Sequence, residues 1–122
     1  MGKLVFVVED DAVFRGYLVG QLHQLGLDTR EYPNGKGVVT AVLNQKPAAC
    51  FIDLVMPGVE GIETIMSIRD SKADPKPIVI AISGHGQYLL GVEGLGATEA
   101  IRKLDLNPER LRETLTRYGL VP

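Results

Sequence analysis

The chain has 122 residues, 45% of them hydrophobic, which suits one domain that buries its own core and leaves no room for a second. A formal net charge of -2 excludes bulk electrostatic attraction to nucleic acid or to anionic lipid, and a single cysteine, Cys50, excludes an internal disulfide and a cysteine-built metal cage. No apolar run approaches the ~20 residues that span a bilayer and no signal-peptide pattern is present, so a cytoplasmic, membrane-free domain is expected.

Leu4 to Val8 (LVFVV) is continuously apolar and rich in β-branched residues, the pattern of a central parallel strand buried on both faces. It ends in Glu9, Asp10 and Asp11, acids that repel one another but favour the start of a following helix through its dipole. On that reading alone, Asp10 or Asp11 is a helix cap. Phe14, Leu18, Leu22 and Leu25 form the apolar stripe of the helix, and Gly26 closes it. A weaker strand is expected around Asp28 to Glu31, then a turn at Pro33, Asn34 and Gly35. Val38, Val39, Val42 and Leu43 predict a second amphipathic helix ending before Pro47.

Ala48 to Ile52 reads as the next buried strand, with the Cys50 thiol inside it, and Asp53 follows at once. Met56, Pro57 and Gly58 force a shaped loop after Asp53, because proline lacks an N–H and glycine favours positive φ. Ligands of open α/β sheets bind outside the carboxyl ends of the strands, so Asp53 stands where chemistry is expected, although an isolated Asp equally caps a turn. Ile62, Ile65, Met66 and Arg69 predict a third helix with one inward face, the arginine contributing its apolar stem. Ile78 to Ile82 (IVIAI) is another buried strand, ending in Ser83, Gly84, His85 and Gly86.

A fourth helix is expected around Tyr88 to Leu95, weakened by Gly91 and Gly94 at about 1 kcal/mol each. Thr98 to Arg102 is a short strand with Lys103 at its end. Asn107 and Pro108 start a final helix whose inner face carries Leu111, Leu115 and Tyr118. Five strands alternating with five helices predict a doubly wound parallel α/β sheet over residues 1–122.

Parallel strands would bring Glu9, Asp10, Asp53, Ser83 and Lys103 to one edge. Clustered oxygens without cysteine suit a hard cation such as Mg²⁺, which would relieve the repulsion that raises carboxylate pKa values. Taken singly, Lys103 is a solvated strand-end charge and Ser83 a helix cap.

Together, the acidic pair after the first strand, Asp53 followed by Met56-Pro57 and Gly61, Ser83 thirty residues on and Lys103 fifty residues on resemble the receiver domain of two-component response regulators (CheY-like). The resemblance covers essentially the whole chain and implies a flavodoxin-like sheet ordered 2-1-3-4-5. It implies that Asp53 accepts a phosphoryl group from the phosphohistidine of a sensor histidine kinase or phosphotransfer protein, or from a small acyl phosphate. Asp10 and Asp53 would ligate Mg²⁺ directly, Glu9 through water, and Val55 through its backbone carbonyl. Lys103 would pair with Asp53 and later with a phosphoryl oxygen, while Ser83 would bond the phosphoryl group and draw its loop inward. Val55 and His85 would tune hydrolysis of the acyl phosphate; His23 faces away. Such a domain is not an enzyme beyond autophosphatase activity.

Two positions depart from that pattern. Ala100 stands where the family has a switch aromatic, and Leu104 follows the lysine in place of proline, so a cis peptide there is not expected. The readout to a downstream protein or fused output domain is therefore expected to be atypical, and a phosphorylation-independent interaction module is the alternative. A nucleophile-Asp phosphohydrolase commonly carries a second acid where this chain has Val55.

Overall fold

A computed structural model describes residues 2–56 and 60–122. Five strands, β1 (Leu4–Val8), β2 (Asp28–Tyr32), β3 (Ala49–Asp53), β4 (Ile78–Ser83) and β5 (Glu99–Arg102), form one sheet ordered β2-β1-β3-β4-β5. Every pairing is parallel. The helices among the described residues are α1 (Ala12–Gln24), α2 (Val38–Gln45), α3 (Gly61–Asp70) and α4 (Pro108–Arg117). This is the expected flavodoxin-like order.

Central strands explain their own composition. Val5 to Val8 and Ala49 to Ile52 are fully buried, and because neighbouring side chains on a strand point to opposite faces, they supply two separate apolar layers. Val5, Val7, Phe51, Ile80, Ile82 and Ile101 meet Leu18 and Leu22 of α1 and Leu111 and Leu115 of α4. On the other face Phe6, Val8, Cys50, Ile52, Val79 and Ala81 meet Val38 and Val42 of α2 and Ile65 and Ile68 of α3. Burying each Val, Leu, Ile or Phe stabilises the fold by about 1.5–3 kcal/mol relative to leaving it exposed. The edge strand β2 has no fully buried residue, as its polar sequence DTREY requires.

Local signals fix the helix ends. The Asp11 carboxylate accepts from the N–H groups of Val13 and Phe14, so the capping alternative belongs to Asp11 and leaves Glu9 and Asp10 free for other work. Gly26 sits just past α1 at φ 84°, where a side chain would be strained. Asn107 accepts from the Arg110 N–H, with Pro108 in the first turn.

Two expectations need correction. The segment expected as a fourth helix forms two 3₁₀ turns, Gly86–Leu89 and Val92–Leu95. Gly91 between them adopts φ 77°, a left-handed conformation that an α-helix cannot pass through. The far end of this segment is well tied: Thr98 donates its N–H to the Val79 carbonyl at 2.7 Å and accepts the Val79 N–H on its hydroxyl. Arg69 also reaches the Leu95 carbonyl. The inward face of α3 is also rotated from expectation, with Thr64, Ile65 and Ile68 buried and Arg69 at the surface beside Asp70. Of the loop expected after Asp53, Pro57 and Gly58 lie outside the described residues; Met56 is buried.

Candidate functional site

Parallel strand direction delivers the candidate residues to one edge of the sheet. Glu9 follows β1 and is held there by donating its N–H to the Tyr32 carbonyl at 2.9 Å. Its side chain is fully buried, whereas Asp10 is exposed. Asp53 ends β3 and is 4% exposed. Lys103 opens the 3₁₀ turn Lys103–Asp105 that follows β5. The single cis peptide among the described residues is Asp74–Pro75, so the bond before Leu104 is trans.

The lysine joins strands from both sides of the sheet. Its Nζ lies 2.6 Å from Glu9 Oε1 and 3.3 Å from Asp53 Oδ2. The approach to Glu9 is the closer of the two ion contacts, and it pairs a fully buried carboxylate with the ammonium. Glu9 Oε2 accepts the Asp11 N–H at 3.1 Å, and Asp53 Oδ1 accepts the Val55 N–H at 3.3 Å. Burial pushes the Glu9 carboxyl up to about 7; Lys103 and the Asp11 N–H oppose the rise, and Asp53 adds to it. Burial works against the Lys103 ammonium, but Glu9 and Asp53 outweigh it and hold the lysine above its ordinary value. Each carboxylate needs the lysine, because an uncompensated charge at this depth is costly.

One carboxylate oxygen from each of Glu9, Asp10 and Asp53 lies within 4.8 Å of the others. Asp10 and Asp53 border a cleft of about 250 Å³ whose other walls are Val55, Ser83, Gly84, His85 and Lys103, and Glu9 lies buried behind them. Four of the five side chains named from sequence line this cleft, and Glu9 adjoins them through Lys103. Ser83 is buried, and its Oγ accepts the His85 N–H at 3.1 Å. His85 is exposed and meets Tyr88 edge to face. His23 points elsewhere, its Nε2 2.9 Å from Thr29 Oγ1. Ala100 is half-buried, opposite Ala81 in the ladder, and packs on the α2–α3 layer.

Gly61 shows why glycine is needed beside the acid. A Cβ on it would lie 1.8 Å from the Asp53 carbonyl oxygen, so only a residue without a side chain lets α3 start this close to the end of β3. Two contributors were not evident in the sequence. Arg15 donates through Nη1 to the Glu9 carbonyl at 2.7 Å and through Nε to Glu31 at 3.1 Å, and it does so where β2 has ended and the ladder offers no further donor. Phe14, read only as part of an apolar stripe, lies against Lys103.

Relatives share this architecture. A profile of the response regulator receiver domain matches residues 5–116. The chemotaxis protein CheY of Thermotoga maritima is 32% identical over 122 residues, covering 98% of this chain and 99% of that protein. The DNA-binding response regulator MtrA of Mycobacterium tuberculosis is 31% identical over 103 residues, which are 84% of this chain but 45% of MtrA. The receiver domain of the sensor histidine kinase PA1611 of Pseudomonas aeruginosa, solved with a magnesium ion coordinated in its active site cleft, superposes with a TM-score of 0.85 at 21% identity, over 97% of this chain and 98% of that one. With its sheet order, its acidic cleft and a profile match spanning nearly all of its length, the chain belongs to the response regulator receiver domain family of two-component signalling.

Proposed function

We propose that this receiver accepts a phosphoryl group on Asp53. The observation that carries the proposal is the position of Lys103, whose ammonium reaches Asp53 from the end of β5 and stays charged between two carboxylates. In the transfer, an Asp53 carboxylate oxygen attacks phosphorus in line. The O–P bond forms as the N–P bond of a phosphohistidine breaks; the departing imidazole takes a proton from solvent and returns to its neutral form. With acetyl phosphate the leaving group is acetate.

The donor set fits a hard divalent cation. It is all oxygen, with one carboxylate oxygen from each of Glu9, Asp10 and Asp53 brought close together. Asp10 and Asp53 would hold Mg²⁺ directly, Glu9 through water and Val55 through its carbonyl. When bound, Mg²⁺ neutralises charge on the equatorial phosphoryl oxygens, which is most of what such a transfer requires. Lys103 moves its ion pair from Asp53 to a phosphoryl oxygen. Ser83 gives up its bond from the His85 N–H and donates its hydroxyl to the phosphoryl group, drawing the 84–90 segment inward. Val55 and His85, at the mouth of the cleft, govern the approach of the water that hydrolyses the acyl phosphate.

The donor is a sensor histidine kinase or phosphotransfer protein, and the receiver of the signal is a downstream protein or a linked output domain. Because Ala100 offers no ring to swing, the readout runs through the Ser83 loop and the two 3₁₀ turns.

Incubation with Mg²⁺ and acetyl phosphate, followed by intact mass, tests the proposal. A single phosphoryl adduct is expected, lost with EDTA and lost in Asp53→Asn. No adduct, or one that persists in Asp53→Asn, refutes it. The half-buried Ala100 favours one second reading, a module that binds its partner regardless of phosphorylation. Equal partner affinity with and without beryllofluoride would establish that reading.

A further inference from the structure

Lys103 has a long flexible stem, and losing its rotational freedom opposes any fixed ion pair. Something must hold it between Glu9 and Asp53. The next residue does not, since Leu104 is 86% exposed and packs against nothing that would steady the turn. One turn of α1 does. The Phe14 ring lies with its centroid 4.9 Å from Lys103 Nζ, inside the ~6 Å reach of a cation–π contact. The ammonium thus has carboxylates at 2.6 and 3.3 Å and an aromatic ring as a further neighbour.

Tyr17 completes the arrangement from three residues further along the helix. Its ring braces Phe14 at a centroid distance of 5.9 Å, and its hydroxyl donates to the Leu106 carbonyl at 3.1 Å. The Leu106 N–H in turn donates to the Lys103 carbonyl at 3.2 Å. Phe14 therefore holds the tip of the lysine while Tyr17 holds the main chain that carries it. Sequence alone gives Phe14 a different task, filling the layer between α1 and the sheet, which leucine or methionine would perform as well. The quadrupole of the ring is what an aliphatic side chain cannot supply.

We infer that Phe14 and Tyr17 are positioning residues for Lys103, fixing its ammonium between Glu9 and Asp53 and thereby setting the rate at which Asp53 takes up a phosphoryl group. The rate part of this rests on the acceptor role proposed for Asp53. The positioning part stands on geometry that exists before any phosphoryl donor is present.

Phe14→Leu, Phe14→Tyr and Tyr17→Phe test it with two readouts. In metal-free protein without a phosphoryl donor, the NMR shift of the Lys103 ε-methylene protons reports the ring: the ring-current displacement should be present in the wild type and in Phe14→Tyr and absent in Phe14→Leu. With Mg²⁺ and acetyl phosphate, the initial rate of adduct formation should fall about fivefold in Phe14→Leu, stay within about twofold in Phe14→Tyr and fall about twofold in Tyr17→Phe. An unshifted methylene in the wild type, a wild-type rate in Phe14→Leu, or equal slowing by leucine and tyrosine overturns the inference, the last because it marks a purely packing role. If Phe14→Leu does not fold, Phe14→Met gives the same comparison. If the wild type forms no adduct, the acceptor role fails separately and the methylene shift decides the positioning alone.

Discussion

The cleft has two unlike halves. On one side, Glu9, Asp53 and Lys103 are buried or nearly so, and each is restrained by at least one contact from another element. On the other side, the segment from Gly84 to Gly96 runs through two 3₁₀ turns with a left-handed glycine between them, and Leu90 is 82% exposed. The acidic half has its geometry imposed by the sheet, while the other half has no long helical ladder and is anchored in the core by Val92 and Ala97 before Thr98 rejoins β4. Segments with few buried contacts and exposed backbone bonds open most readily. On the acceptor role proposed for Asp53, rigidity lies where the phosphoryl group would be received and compliance where the event would be reported.

The sharpest way to break this comparison is to remove the central ammonium. Lys103→Ala should slow phosphoryl uptake from acetyl phosphate about 100-fold, measured by intact mass over time, whereas Ser83→Ala should slow it only about tenfold. Equal effects would mean that the chemistry is shared evenly between the halves. Lys103→Ala should also lower stability by about 2 kcal/mol, since it leaves Glu9 and Asp53 uncompensated.

Glycines sharpen the contrast. Gly61→Ala drives a Cβ into the Asp53 carbonyl and should cost about 3 kcal/mol in urea unfolding. Gly94→Ala meets nothing within 4 Å, and Gly94 is not at positive φ. That change should be neutral or stabilise by about 0.5 kcal/mol, since it restricts the unfolded chain without a clash. A large loss at Gly94 would show that the half built of 3₁₀ turns is packed more tightly than its geometry implies.

A smaller effect concerns β5, which borders both halves. Burial alone would raise the Glu99 carboxyl, but bonds from Tyr118, Arg110 and Arg117 outweigh it and hold the group below its ordinary 4.5. A depressed carboxylate stabilises the folded state above the unfolded pKa, and that contribution is lost as pH falls through the folded value. Wild type should therefore exceed Glu99→Gln in urea midpoint at pH 7, and the gap should close as pH drops below 4.5. A gap that stays constant would assign the Glu99 contacts to packing.

Much of this site was legible in the sequence, for identifiable reasons. LVFVV and IVIAI are too apolar for any place but a doubly covered strand, and a parallel sheet sends the residue after each such run to the same edge. That logic alone places Glu9, Asp53, Ser83 and Lys103 together. The segment after Ser83 was less legible: its apolar spacing at Tyr88, Leu89, Val92 and Leu95 imitates a helix, and the outcome depends on Gly91 taking a left-handed conformation that spacing does not encode. The face of α3 was misread because Arg69 was counted as an inward stem when Asp70 and the Leu95 carbonyl draw it to the surface. Arg15 and Phe14 were hidden for another reason. Their partners are a main-chain carbonyl and a lysine 89 positions away, and neither leaves a trace in local pattern.

The division of the apolar interior into two layers has a practical consequence. Phe14 and Leu106, which steady the lysine, belong to the layer shared with α1 and α4, whereas Leu89, Val92, Ala97 and Ala100 belong to the layer shared with α2 and α3. Substitutions separated by the sheet and sharing no neighbours should combine additively, within about 0.5 kcal/mol. An engineer could therefore rework the layer beneath the two 3₁₀ turns while leaving the setting of the Lys103 ammonium, steadied from the other layer, as it is.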